Sequence, residues 1–153
     1  MEQMKMMLVD DEERFLITTQ KLLLRKGYDV VIAGSGADAL EILRTQNIHV
    51  VILDVKMPGM DGIETLKMIK KNYPLVEVIM LTGHGTIESA VEGLKSGATD
   101  YLTKPADVQD LLDKAEEAFR KRKVLEDKIR VAQSRAMGKS AREILRETGG
   151  GVQ

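Results

Sequence analysis

The chain has 153 residues, enough for one domain of ordinary size with a substantial core. Its 23 basic and 24 acidic side chains leave a formal net charge of −1, and only 3% of residues are aromatic, so neither a nucleic-acid surface nor an anionic-membrane surface is indicated. There is no cysteine, which excludes disulfide frameworks and thiolate metal sites, and no apolar stretch approaches the roughly 20 residues of a spanning helix.

Met1 to Met7 is too short and too polar for a signal peptide, so the expected location is the cytoplasm. Met6-Met7-Leu8-Val9 reads as a buried strand that ends in Asp10-Asp11-Glu12-Glu13. A helix follows, with Leu16, Thr19 and Leu23 on one face and Gly27 as its stop. Tyr28 to Ile32 is a second strand. Ser35 and Asp38 have capping-box-like spacing ahead of a second helix carrying Ala39, Leu40, Ile42 and Leu43. Val50-Val51-Ile52-Leu53 is apolar on both faces, as in the middle of a covered parallel sheet, and it ends at Asp54. Met57 to Gly62 is a turn-rich loop, and Ile63 to Lys71 a third helix. Val76 to Leu81 is a fourth strand, ending at Thr82. Thr86 to Ser96 is a helix with Ile87, Ala90, Val91 and Leu94 expected inward. Ala98 to Thr103 is a fifth strand, ending at Lys104-Pro105, and a fifth helix starts near Asp107.

Strands alternating with helices imply a parallel α/β sheet with right-handed crossovers. Asp10, Asp11, Asp54, Thr82 and Lys104 then all fall at C-terminal strand ends, the edge where open parallel sheets bind ligands. Three carboxylates together repel one another unless a cation sits among them. Oxygen-only ligation without histidine suits Mg²⁺, with Mn²⁺ able to substitute. A divalent ion, a lysine and a threonine hydroxyl make a suitable clamp for a phosphoryl group. In so anionic a place a carboxylate can itself be the nucleophile, and Asp54, alone at the end of the central strand, is the best candidate. Taken singly, these features are ordinary: acids after a strand are commonly helix N-caps, and Lys-Pro is a turn signal. Their joint placement is what carries the reading.

Asp10-Asp11, the run Asp54-Val55-Lys56-Met57-Pro58-Gly59-Met60-Asp61-Gly62, Thr82-Gly83 and Tyr101-Leu102-Thr103-Lys104-Pro105 together resemble the response-regulator receiver family of two-component signalling, over roughly residues 5–120. The resemblance implies a doubly wound, flavodoxin-like five-stranded parallel sheet in the order 2-1-3-4-5, with an extended C-terminal helix. It implies that Asp54 takes a phosphoryl group from a sensor histidine kinase or phosphotransfer protein. Asp11, Asp54 and the backbone carbonyl of Lys56 would ligate Mg²⁺, with Asp10 helping through water. Lys104 would pair with the phosphoryl group, next to a cis Lys104–Pro105 bond. Thr82 and Tyr101 would form the switch that links this chemistry to the face of helix four, strand five and helix five. Lys56 and His84, each two residues past a site residue, are candidates for tuning the acyl-phosphate lifetime. No enzymatic activity is expected beyond self-phosphorylation from phosphodonors and autodephosphorylation. His49 reads as a surface residue without a role.

After Pro105 no further strand appears. Leu111, Ala115, Ala118, Arg122, Leu125, Ile129, Ala132 and Ala136 follow a heptad-like spacing, broken in type only by Arg122. Leu111, Ala115, Ala118, Leu125 and Ile129 are thus a candidate dimer seam. Arg120 to Lys123 reads as a solvated face rather than a DNA reader, so no direct nucleic-acid binding is expected. A helix over 107–137, a break at Gly138, a short helix capped by Ser140 with Glu143 and a frayed Gly-rich end are predicted. The expected organisation is a receiver over 1–120 and a helical extension over 121–153. That extension resembles the linker of nitrogen-regulation-type activators, which leaves two readings. One is a stand-alone regulator acting as a homodimer or on a downstream protein partner. The other is a receiver-plus-linker part of a larger transcriptional activator. An aspartyl-phosphate phosphatase of the haloacid-dehalogenase type is disfavoured, because its Asp-x-Asp motif would need an acid where Lys56 stands and its cap has no room. A flavodoxin-like small-molecule binder is disfavoured by acids where a phosphate-cradling Gly-rich loop would follow strand one.

Overall fold

Each short apolar run becomes a strand and each amphipathic run a helix, in alternation along the chain. A computed structural model describes residues 2–56, 61–83 and 87–149, with side chains described as far as Gly138. The elements are β1 (Lys5–Val9), α1 (Glu13–Arg25), β2 (Asp29–Ala33), α2 (Gly36–Thr45), β3 (Val50–Asp54), α3 (Gly62–Asn72), β4 (Glu77–Gly83), α4 (Ile87–Lys95), β5 (Asp100–Lys104) and α5 (Val108–Gly149). All pairings are parallel, and the sheet order is β2-β1-β3-β4-β5, as expected from the resemblance. The first compact unit is Met1–Arg122, and a second begins at Lys123.

Within the first unit the sheet is covered on both faces. Met6, Leu8, Val50, Ile52, Ile79 and Leu81 point to a layer formed with α1 and α5. Met7, Val9, Val51, Leu53, Val78 and Met80 point to the other layer, formed largely with α2 and α3. All five residues of β3 are buried, as a central strand with two covered faces requires. Each large aliphatic side chain so buried contributes about 1.5–3 kcal/mol. Ser35 Oγ accepts from the Asp38 N–H at 3.1 Å and caps α2 as predicted. Gly27, at φ +90°, ends α1. Its N–H donates to the Leu24 carbonyl and the Tyr28 N–H to that of Leu23, a left-handed stop suited to glycine.

Four expectations are corrected. In α4 the buried residues are Ala90 and Gly93, while Ile87 is 81% exposed and Val91 and Leu94 face outward. The side chain of Met80 fills the space above β4, where a Cβ on Gly93 would collide with its sulfur and terminal methyl. The helix therefore approaches the sheet through its small residues. Gly138 does not break α5, which runs on to Gly149. One helical glycine costs about 1 kcal/mol relative to alanine, too little to end a long helix. The proposed seam is also divided: Leu111, Ala115 and Ala118 belong to the receiver's own core, whereas Leu125 and Ile129 are exposed.

The fourth correction concerns His49 and Arg122, which are both buried. His49 Nδ1 accepts the Lys5 N–H at 2.9 Å, its Nε2 lies 2.5 Å from Glu2, and its ring meets Phe119 edge-on at 5.0 Å. A backbone donor at Nδ1 requires that nitrogen to be unprotonated, so the proton sits on Nε2. Arg122 donates to the Ile48 carbonyl at 2.8 Å. The charged residue that interrupts the heptad spacing thus fastens α5 to the chain entering β3.

Candidate functional site

Strand register assembles the site. Val9 pairs with Leu53, so the next residues, Asp10 and Asp54, emerge side by side. Asp54 pairs with Leu81, which puts Thr82 one step further along the same edge. Thr82 pairs with Thr103 and Gly83 with Lys104, which brings the lysine to that edge as well. Asp10 and Asp54 are buried, and Asp11 is exposed. An open cleft of about 350 Å³ is lined by Asp11, Glu12, Asp54, Lys56, Gly83 and Lys104.

The polar contacts in this cleft are few and directed. Asp10 Oδ1 accepts the Glu12 N–H at 2.9 Å, and its Oδ2 accepts from Lys104 Nζ at 2.6 Å. Asp54 Oδ1 accepts the Lys56 N–H at 3.2 Å. Asp54 Oδ2 lies 3.7 Å from Lys104 Nζ, and Glu12 Oε1 lies 3.6 Å from it. Lys104 Nζ also stands 5.1 Å from the centroid of the Phe15 ring. Burial first, and then the negative charge of Asp10, raise the Asp54 pKa from its ordinary 3.8 to about 6; the Lys104 charge works against this. For Lys104, burial acts to lower the pKa, but the hydrogen bond it donates to Asp10 and the charges of Asp10, Asp54 and Glu12 outweigh it and leave it raised.

The acidic set fits a hard divalent cation. Ligand oxygens of Asp10, Asp11 and Asp54 lie within 4.8 Å of one another, and no histidine joins them among the described residues. Two of the three carboxylates are buried, where their mutual repulsion is least screened, so a cation is the natural compensation.

Thr82 is buried, and its hydroxyl donates to the Leu102 carbonyl at 3.3 Å. Tyr101 is exposed on the edge strand β5. The Lys104–Pro105 bond is cis. The Lys56 side chain is exposed at the cleft. His84 and the stretch from Met57 to Met60 lie outside the described residues. The register therefore gathers Asp10, Asp11, Asp54, Thr82 and Lys104. Glu12 and Phe15 are neighbours of the lysine that sequence reasoning passed over. Glu12 was indistinguishable from a helix-capping acid. The available signal for Phe15 was a rare aromatic in the first turn of the helix after the paired acids.

Residues 6–116 match the family described as response regulator receiver domain. The chain belongs to that family. It is 44% identical over 113 residues to the transcriptional regulatory protein ZraR of Escherichia coli strain K12, covering 74% of this chain and 26% of that protein. Among solved structures, a response regulator receiver domain protein from Clostridium thermocellum superposes with a TM-score of 0.75 at 38% identity, covering 80% of this chain and 98% of that one. NtrX from Brucella abortus superposes with a TM-score of 0.79 at 30% identity, covering 85% of this chain and 30% of that one. The chain spans about a quarter of the length of the curated relatives it matches. Receivers of this family work in two-component signalling: they accept and release a phosphoryl group, bind Mg²⁺ at an acidic pocket and are partnered by a histidine kinase or phosphotransfer protein. Among the described residues no helix is long and apolar enough to cross a membrane.

Proposed function

We propose that this receiver takes a phosphoryl group onto Asp54 from the phosphohistidine of a cytoplasmic sensor kinase or phosphotransfer protein, and that the acyl phosphate shifts a two-state equilibrium. The observation that carries the reading is the set of three carboxylates within 4.8 Å beside a lysine whose Nζ is 3.7 Å from Asp54 Oδ2. In the transfer an Asp54 oxygen attacks phosphorus, the P–N bond to the donor histidine breaks, and the imidazole leaves with the bonding pair and takes up a proton. Asp11, Asp54 and the Lys56 carbonyl would hold Mg²⁺, with Asp10 assisting; a bound divalent ion supplies charge neutralisation at the phosphoryl oxygens. Lys104 leaves Asp10 to pair with the same oxygens. Thr82 exchanges its bond to the Leu102 carbonyl for one to the phosphoryl group, and Tyr101 turns inward from its exposed position. Lys56 and His84 tune the lifetime of the acyl phosphate.

The output is expected through the face of α4, β5 and α5, with a downstream protein partner or a second copy of this chain. The exposed Leu125 and Ile129 support a pairing of α5 beyond the receiver core. Action as a stand-alone regulator is one form of this reading. A receiver with its linker in a larger transcriptional regulator is the second; ZraR, a transcriptional regulatory protein, is matched over 26% of its length.

Solution mass by light scattering, with and without Mg²⁺ and beryllofluoride, tests the reading. The expected result is a ligand-dependent change in wild type that Asp54→Asn lacks. A phosphodonor-dependent mass gain of one phosphoryl group that persists in Asp54→Asn would place the acceptor elsewhere and overturn it.

A further inference from the structure

Lys104 is the one side chain that must serve two anions in turn. It now donates to Asp10 at 2.6 Å, and on the reading above it must reach a phosphoryl group on Asp54. Lysine is a point charge on a flexible four-carbon stem, poorly ordered by itself. Its side chain is 21% exposed, and a further carboxylate, Glu12, lies 3.6 Å from the ammonium. Something must hold the ammonium at the cleft without neutralising it.

The geometry points to Phe15 as a positioning residue for Lys104, its ring face holding the ammonium at the phosphoacceptor edge by cation–π attraction. The Nζ to centroid distance of 5.1 Å is inside the roughly 6 Å range of that attraction. Phe15 lies in the first turn of α1 and packs against the core layer beneath α1 and α5, so its ring is fixed by the fold. Three properties suit the ring to this task. It attracts the cation without accepting a proton or cancelling its charge, as a carboxylate would. The attraction is broad in direction, so the ammonium can move between Asp10 and Asp54 without losing it. The ring also covers part of the lysine head against water, which strengthens every charge interaction the head makes.

This inference rests on the proposed role of Asp54 and Lys104, and the test separates the two. Phosphorylation of the full chain by acetyl phosphate with Mg²⁺ is compared in wild type, Phe15→Leu, Phe15→Tyr and Phe15→Trp. Leucine preserves apolar packing and removes the quadrupole. The expected loss in Phe15→Leu is about fivefold in rate, which at 1.36 kcal/mol per tenfold is roughly 1 kcal/mol. Phe15→Tyr or Phe15→Trp should stay within about twofold of wild type, and Mg²⁺ affinity should be unchanged in Phe15→Leu. A Phe15→Leu rate equal to wild type, or a drop of the same size in all three variants, would overturn the inference. In the wild-type protein, the Lys104 ε-methylene protons should be shifted upfield by the ring in an NMR spectrum. This reading needs no variant to fold, and an ordinary lysine shift there would equally overturn the inference. Failure of wild type itself to be phosphorylated would instead overturn the reading of Asp54.

Discussion

The two edges of the sheet handle buried polarity in opposite ways. At the N-terminal edge, charged and polar side chains are matched to fixed partners. Arg122 donates to the Ile48 carbonyl, and His49 stands between the Lys5 N–H and Glu2. Lys70 Nζ donates to the carbonyls of Pro74 at 2.8 Å and Val76 at 2.9 Å, and Thr99 donates to Glu77. At the C-terminal edge, Asp54 accepts the Lys56 backbone N–H at 3.2 Å, with a buried acid beside it and an ammonium just out of hydrogen-bond range. Both edges are buried by the same two helical layers. The difference is that one set of groups is matched to partners within the fold, and the other, on the proposed reading, serves a cation and a phosphoryl group. Stability and reactivity are thereby assigned to opposite ends of the same strands.

That division predicts which substitutions change chemistry and which change folding. Asp54→Asn should lower phosphoryl acceptance at least ~100-fold, close to 3 kcal/mol of barrier, without destabilising the chain. A radiolabelled or mass-resolved phosphorylation assay beside a urea melt checks both halves. Gly62→Ala should breach the division, because the new Cβ would run into the Asp54 carbonyl oxygen and the Val55 backbone. Neither can yield as a side chain would, so a stability loss of about 3 kcal/mol is expected together with impaired phosphorylation. If only one of the two falls, α3 does not couple fold to site. Arg122→Met keeps the aliphatic stem but leaves the Ile48 carbonyl without its charged donor. It should cost about 2 kcal/mol in denaturant unfolding, with phosphorylation kept within about twofold.

A smaller effect distinguishes the edges by pH. The folded chain holds the Asp54 proton more tightly than the unfolded chain, with a pKa of about 6 against 3.8. Between these values the folded state binds more protons, so this group's contribution is full below pH ~4 and is lost as pH rises through 6. Without divalent ions, the melting temperature should therefore decline over that window through a term on the order of 1–2 kcal/mol after allowance for screening. Asp54→Asn should remove the slope, and Mg²⁺ at neutral pH should restore stability to wild type more than to the variant. A flat profile in metal-free wild type would show that Lys104 already compensates Asp54.

Much of this was legible in the chain. The two-faced apolarity of Val50 to Leu53 announced a central strand, and the ends of strands one, three, four and five placed Asp10, Asp54, Thr82 and Lys104 on one edge. What periodicity could not give was depth. It assigned Ile87, Val91 and Leu94 to the inside of α4, because it cannot register that Met80 occupies the space beneath Gly93. It read Leu111, Ala115 and Ala118 as continuous with Leu125 and Ile129, because one helix can pack on its own sheet and then carry a similar stripe onward. His49 and Arg122 were misjudged for a related reason. Polar residues look like surface residues until the carbonyl or amide that each one satisfies, 74 positions away for Arg122, is in view. Phe15 could be noticed as a rare aromatic but not paired with Lys104, because that partner lies on the last strand.

The bond from Arg122 to Ile48 also bears on where this receiver can be detached or grafted. The sequence pattern shared with the family ends at residue 116. A chain trimmed there would keep Asp10, Asp11, Asp54, Thr82 and Lys104, yet lose Phe119 from the His49 ring and Arg122 from the Ile48 carbonyl. Such a fragment should still take up a phosphoryl group while breathing at its base. A module moved onto a new output with its boundary after Arg122 should arrive intact. The portable unit is thus longer than the recognisable one.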